Sequence, residues 1–211
     1  MFTRSPFPNR NFVIGFLLTL ISSLFLLVNS FVIGRIPFFL MLNTDLGKTG
    51  DIFFYYWTNL GDGAVWVLVA ILFWFFRRKQ FPLLLAAIIF STLIAQGAKR
   101  FLFPEELRPT AAITDLGSIH TVAGVELHSS HSFPSGHTTT AFTIFLLGCL
   151  LIRNRWFIPV GFICALLVGY SRIYLAQHFP GDVGGGMMAA LLTLLVSIAI
   201  QQQWEKRKTA Q

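Results

Sequence analysis

The stretch Ser171-Arg172-Ile173-Tyr174-Leu175-Ala176-Gln177-His178-Phe179-Pro180-Gly181-Asp182 lies between two apolar runs. It sets an arginine, a histidine and a carboxylate at the edge of apolar segments, where charge is costly unless it is paired or used. A carboxylate four residues after a histidine can orient the imidazole and stabilise positive charge on it. The arginine supplies a forked donor for phosphate or carboxylate oxygens. A solvated interfacial loop would account for the same residues, so the rest of the chain has to decide between the two.

Composition makes the surrounding runs membrane segments. The 211-residue chain is 55% hydrophobic and only 12% charged, against about a quarter charged in soluble domains. A net charge of +7 invites a nucleic-acid partner. The basic residues, however, fall in short clusters between apolar runs, which is a topology pattern, and no nucleic acid is expected. Cys149 and Cys164 both sit inside apolar runs, so no structural disulfide is expected. There is no internal repeat, and one membrane domain over residues 1–211 suffices.

Apolar runs cover about 12–33, 60–76, 81–98, 136–152, 156–174 and 183–200. The first is close to the roughly 20 residues that cross a bilayer and longer than a signal-peptide core, so it reads as a retained helix. Between the first two runs, Phe53-Phe54-Tyr55-Tyr56-Trp57 marks a loop with an interfacial helical portion. Asp62 reads as the N-cap of the second helix, with a functional carboxylate as the alternative. Pro82 suits the first turn of the third helix. Gly184-Gly185-Gly186 permits close packing at the start of the sixth. The fold expected is all-α, a polytopic bundle of six transmembrane helices.

Six crossings put both termini on one side. Arg4/Arg10, Arg77–Lys79, Arg153/Arg155 and Lys206–Lys208 then share that side and hold ten of the sixteen basic residues. By the positive-inside rule that side is cytoplasmic. The loops after the third and fifth helices therefore face outward together.

Those loops carry three polar groupings. The first is Lys99-Arg100 with Arg108-Pro109. The second is His131-Ser132-Phe133-Pro134-Ser135-Gly136-His137, directly before a helix start whose free N–H groups form an anion site. The third is the opening stretch with Arg172, His178 and Asp182. Cations and backbone donors suit phosphoryl oxygens, and of two histidines one can attack phosphorus while the other protonates the leaving oxygen.

These blocks resemble the signature of the type-2 phosphatidic acid phosphatase superfamily, Lys-x6-Arg-Pro, Pro-Ser-Gly-His and Ser-Arg-x5-His-x3-Asp. The second block matches as Pro134-Ser135-Gly136-His137, and the third as Ser171-Arg172 through His178 to Asp182. The first departs, because eight residues separate Lys99 from Arg108 and Arg100 adjoins Lys99. The resemblance implies His178 as nucleophile through a phosphohistidine, Asp182 as its orienting group and His137 as general acid. It implies Lys99, Arg108, Ser135, Gly136 and Arg172 as phosphate ligands, with no cofactor and no metal. His120, His128 and His131 match nothing in it and are placed on the outer loop, near the substrate head group, rather than in a metal site.

The expected activity is hydrolysis of a lipid phosphate or pyrophosphate within the cytoplasmic membrane, with the active site at its outer face. Undecaprenyl pyrophosphate, phosphatidylglycerophosphate, phosphatidic acid and lipid A phosphates are the candidate substrates, and membrane lipids the surroundings. A phosphotransferase using the same site is the near alternative. A transporter would need ionisable residues inside the apolar runs, where helices two to six hold almost none. A soluble vanadate-dependent haloperoxidase shares the signature but not the apolar runs.

Overall fold

The computed structural model describes residues 9–209, and these contain helices and no strands. Nine α-helices follow in order: α1 Arg10–Val32, α2 Arg35–Leu42, α3 Gly47–Trp57, α4 Val65–Phe76, α5 Phe81–Gly97, α6 Pro109–Ala112, α7 Gly136–Leu151, α8 Phe157–Tyr174 and α9 Pro180–Thr209. Arg4 lies outside the described residues.

Four helical segments are long and apolar enough to cross a membrane: α1, residues 78–102 around α5, α8 and α9. Large apolar side chains such as Phe25 and Phe31 on α1, and Phe75 and Phe76 on α4, are exposed. In water so much apolar surface would drive association, whereas in lipid it is matched. α3 with its 3-10 extension and α4 give a fifth crossing only if taken as one span, since they are bent by 53°. The second apolar run, expected over about 60–76 with Asp62 at its N-cap, is helical from Val65 to Phe76. Asp62 takes extended backbone, and its Oδ1 accepts the Ala64 N–H at 2.7 Å. This turn stops the first helical segment and restarts the chain as α4.

The helix ends follow their local sequence. Asn9 caps α1 by accepting the Phe12 N–H at 2.9 Å, and its Nδ2 donates to the Leu150 carbonyl at 2.6 Å, which ties α1 to the end of α7. Pro82 lies in the first turn of α5, as its fixed φ favours. α9 is the central helix and packs against α1, α5 and α7. Its glycines make that possible: a Cβ on Gly186 would stand 2.6 Å from the Ser135 carbonyl oxygen, and one on Gly185 would stand 2.5 Å from the Phe133 ring.

Close packing at Gly186 is thus also what seats the turn leading into α7. Gly186→Ala should lower the thermal unfolding temperature in detergent, at a cost of about 1–3 kcal/mol for the forced displacement. Gly97→Ala, where an added Cβ meets nothing within 4 Å, should leave stability unchanged or raise it by up to about 1 kcal/mol. Equal behaviour of the two variants would contradict this packing.

Candidate active site

Asp182 and His178 sit four residues apart, on the first turn of α9 and the turn before it. The Asp182 Oδ2 lies 3.3 Å from His178 Nδ1 and accepts the Phe179 N–H at 2.9 Å. It also accepts the Ser132 hydroxyl, whose Oγ is 3.5 Å from the same imidazole nitrogen. Three groups therefore fix one carboxylate oxygen, and that oxygen fixes the ring. Nδ1 carries the proton in this arrangement, which leaves Nε2 with its lone pair. Burial, with Arg108, Lys99 and Arg172 nearby, holds the His178 imidazole well below the usual histidine range. The ring is neutral at pH 7.

The Pro134–His137 block joins this pair through the backbone, since the Ser135 N–H donates to the Asp182 carbonyl at 2.9 Å. Ser135 is the N-cap of α7 and accepts from the Thr138 N–H and hydroxyl. The capping turn and the proposed ligand are therefore one residue. As an acceptor in both bonds, its hydroxyl keeps its own proton to donate. The N–H groups of Gly136 and His137 stand in the unsatisfied first turn of a sixteen-residue helix. A Cβ on Gly136 would meet nothing within 4 Å, so an anion can approach that backbone. His137 Nε2 faces Asp62 Oδ2 at 4.0 Å. Asp62 thus makes the turn before α4 and also looks onto the second histidine.

The cations converge from three elements. Arg172, at the end of α8, is buried: Nη1 donates to Thr58 Oγ1 at 2.6 Å, Nη2 to Gln177 Oε1 at 3.4 Å, and Nε has no partner among the described residues. Arg108 is held by the Ser130 carbonyl at Nε and by Gln177 at Nη1. Lys99 is buried, while Arg100 beside it is exposed. A π-helical turn over Ala98–Leu102 sets which of the two faces inward.

The longer Lys99–Arg108 spacing is absorbed by a pinned loop. Phe103 packs edge-on against Phe133 at 4.7 Å, and Glu106 pairs with Arg35 at 2.6 Å. Arg35 in turn lies over the Phe179 ring, next to His178.

The three unmatched histidines divide. His128 and His131 line a polar cavity of about 470 Å3 together with Gln96, Lys99, Arg108 and Ser130. His120 lies apart, with Nε2 3.0 Å from Asp51 Oδ1 and Nδ1 3.7 Å from Asp45 Oδ1. Asp45, Asp51 and His120 have ligand-type atoms within 4.8 Å of one another, a grouping that spacing along the chain does not reveal. Asp51 Oδ1 also accepts the Tyr174 hydroxyl. Sequence reading missed Ser132, Thr58 and Gln177 as parts of the site. Ser132 and Gln177 carried a positional signal, since they stand inside the His131–His137 and Ser171–Asp182 blocks, whereas Thr58 carried none.

The PAP2 superfamily family model matches residues 80–206, which include every one of these motifs. The chain belongs to the PAP2 superfamily. It is similar to a lipid A 4'-phosphatase of Porphyromonas gingivalis, 30% identical over 73% of this chain and 67% of that one. It is likewise similar to an undecaprenyl-diphosphatase of Sulfolobus acidocaldarius, 27% identical over 84% of this chain and 83% of the relative. A putative undecaprenyl-diphosphatase of Escherichia coli, YbjG, matches at 28% identity, with about two thirds of its length (66%) spanned. Among solved structures, Aquifex aeolicus LpxE superposes with a TM-score of 0.65 at 29% identity, over 76% of this chain and 92% of that one.

The inward face of the π-helical turn gives a test within this PAP2 chain. Lys99→Ala should weaken protection of the folded protein by inorganic phosphate about tenfold or more, the scale of a lost charge-assisted hydrogen bond. Arg100→Ala should leave it unchanged, and the reverse order would show that the exposed cation is the ligand.

Proposed function

We propose that this chain is an integral membrane phosphatase that hydrolyses a lipid phosphate or pyrophosphate on the extracytoplasmic face, through a phosphohistidine at His178. The observation that carries the reading is the convergence on one buried imidazole. Asp182 and Ser132 hold its Nδ1 side, and Lys99, Arg108 and Arg172 lie near enough to act on its charge.

The chemistry follows from these positions. His178 Nε2 gives its lone pair to phosphorus as the ester or anhydride P–O bond breaks, and His137 gives its proton to the departing oxygen. Asp182 stabilises the positive charge that grows on the His178 ring. Lys99, Arg108, Arg172, the Ser135 hydroxyl and the Gly136 N–H take the phosphoryl oxygens, whose charge they match most closely in the transition state. Water then attacks phosphorus, His137 takes its proton, the P–N bond breaks and phosphate leaves. Both histidines end as they began, and no step draws on a metal.

The membrane setting completes the reading. α1, the bent α3–α4 pair, α5, α7, α8 and α9 serve as six crossings in a bundle, with both termini and the clustered basic residues on the cytoplasmic side. α7 has sixteen residues, about 24 Å of helix, and runs from the site into the bundle. Two apolar cavities of about 300 Å3 each run along α4, α7 and α8 and share Ile144 and Phe157. The first is lined in part by Leu60 and Val65, on either side of Asp62, which faces His137. A lipid chain on the leaving oxygen fits there. Undecaprenyl pyrophosphate, phosphatidylglycerophosphate, phosphatidic acid and lipid A phosphates all present such a chain.

Phosphate release from these four lipids, with and without EDTA, tests the proposal. Wild-type protein should release phosphate from at least one of them at a rate that EDTA does not change. His178→Ala should lower that rate by about a thousandfold or more. Full activity of the variant would contradict the mechanism, and complete loss with EDTA would require a metal.

A further inference from the structure

Arg108 and Arg172 present a physical problem that their motif positions leave unsolved. Both guanidiniums are buried, and neither forms an ion pair with a carboxylate among the described residues. Two like charges brought together out of water repel, and without a shared acceptor they would turn apart.

Gln177 is that acceptor. Its Oε1 receives Arg108 Nη1 at 3.1 Å and Arg172 Nη2 at 3.4 Å, and its backbone carbonyl receives Arg108 Nη1 at 3.2 Å. The other end of the amide donates to the Glu126 carbonyl at 2.9 Å. This fixes the orientation, because a flipped amide would set donors against two guanidiniums and oxygen against oxygen. The Gln177 and His178 N–H groups both donate to the Arg172 carbonyl. One short segment therefore positions both cations and His178.

We propose that Gln177 is a positioning residue that sets the spacing of Arg108 and Arg172 around a tetrahedral phosphoryl group. Its neutrality is the essential property. An amide oxygen aligns the guanidiniums without cancelling their charge, whereas a carboxylate would bind them more strongly and spend the charge on itself. With one N–H of Nη1 and one of Nη2 of Arg172 held by Thr58 and Gln177, the buried Nε that lacks a partner is among the donors left for an anion. The inference rests on the phosphoryl-transfer reading above and adds a residue outside the family signature.

The test uses inorganic phosphate as the probe, as competitive inhibitor and as thermal protectant, on the full-length protein in detergent. Gln177→Glu should keep or raise the unfolding temperature, because the carboxylate pairs with both arginines, while weakening phosphate inhibition at least about tenfold. Gln177→Met keeps the volume but removes the acceptor, and should weaken phosphate inhibition and lower kcat as the arginines separate. A merely structural glutamine would lose stability and phosphate affinity together in Gln177→Glu. That result, or phosphate inhibition within twofold of wild type in Gln177→Glu, would overturn the proposal. His178→Ala separates the two levels: if it still turns over, the phosphohistidine reading falls, while phosphate protection of the Gln177 variants still decides the positioning role.

Discussion

Three cations are buried beside one neutral imidazole, and none of them has a carboxylate within ion-pairing distance among the described residues. Taking a charge out of water costs several kcal/mol even after relaxation, so this concentration is tolerable only if other dipoles hold it. Here the holders are neutral: the Ser130 and Gln177 carbonyls, the Gln177 amide oxygen and the Thr58 hydroxyl. Asp182, the one buried carboxylate nearby, is committed to His178, Ser132 and the Phe179 N–H. The site thus keeps an excess of positive charge, which an incoming phosphoryl group would neutralise.

The fold follows from the need to keep that arrangement rigid. α9 supplies Asp182 from its first turn and offers glycines where the turn before α7 must come close. The Ser135 N–H bond to the Asp182 carbonyl then locks the start of α7, the proposed anion site, to the histidine–carboxylate pair. Arg35 reaches from α2 to Glu106 and lies over Phe179, which joins α2 and the Phe103–Leu107 loop to the residue beside His178. Apolar side chains on α1 and α4 remain exposed for lipid.

Much of this was legible in the sequence. The Ser171–Asp182 and Pro134–His137 blocks are local, their spacing survives folding, and the apolar runs gave most helix positions within a few residues. The failures are tertiary. The pattern marks Asp62 as a helix start, but it does not show that the helix before it continues as a 3-10 turn up to Gly61 and bends there. The choice between Lys99 and Arg100 depends on a π-helical turn that shifts the facing of adjacent residues. Thr58 meets Arg172 across 114 positions, and Ser132 meets Asp182 across 50. His120 likewise finds Asp51 only because the loop after α6 folds back onto the N-terminal helices, where Asn43 Oδ1 accepts the His120 N–H.

The central claim is that His178 itself takes the phosphoryl group. Brief mixing of the protein with a lipid substrate labelled with 32P in the transferred phosphate, followed by alkaline quench and peptide mapping, tests it most directly. The account predicts an acid-labile, base-stable label on the peptide that contains His178, absent from His178→Ala. A wild-type protein that turns over the labelled lipid while the label appears on His137, or on no residue at all, would contradict it.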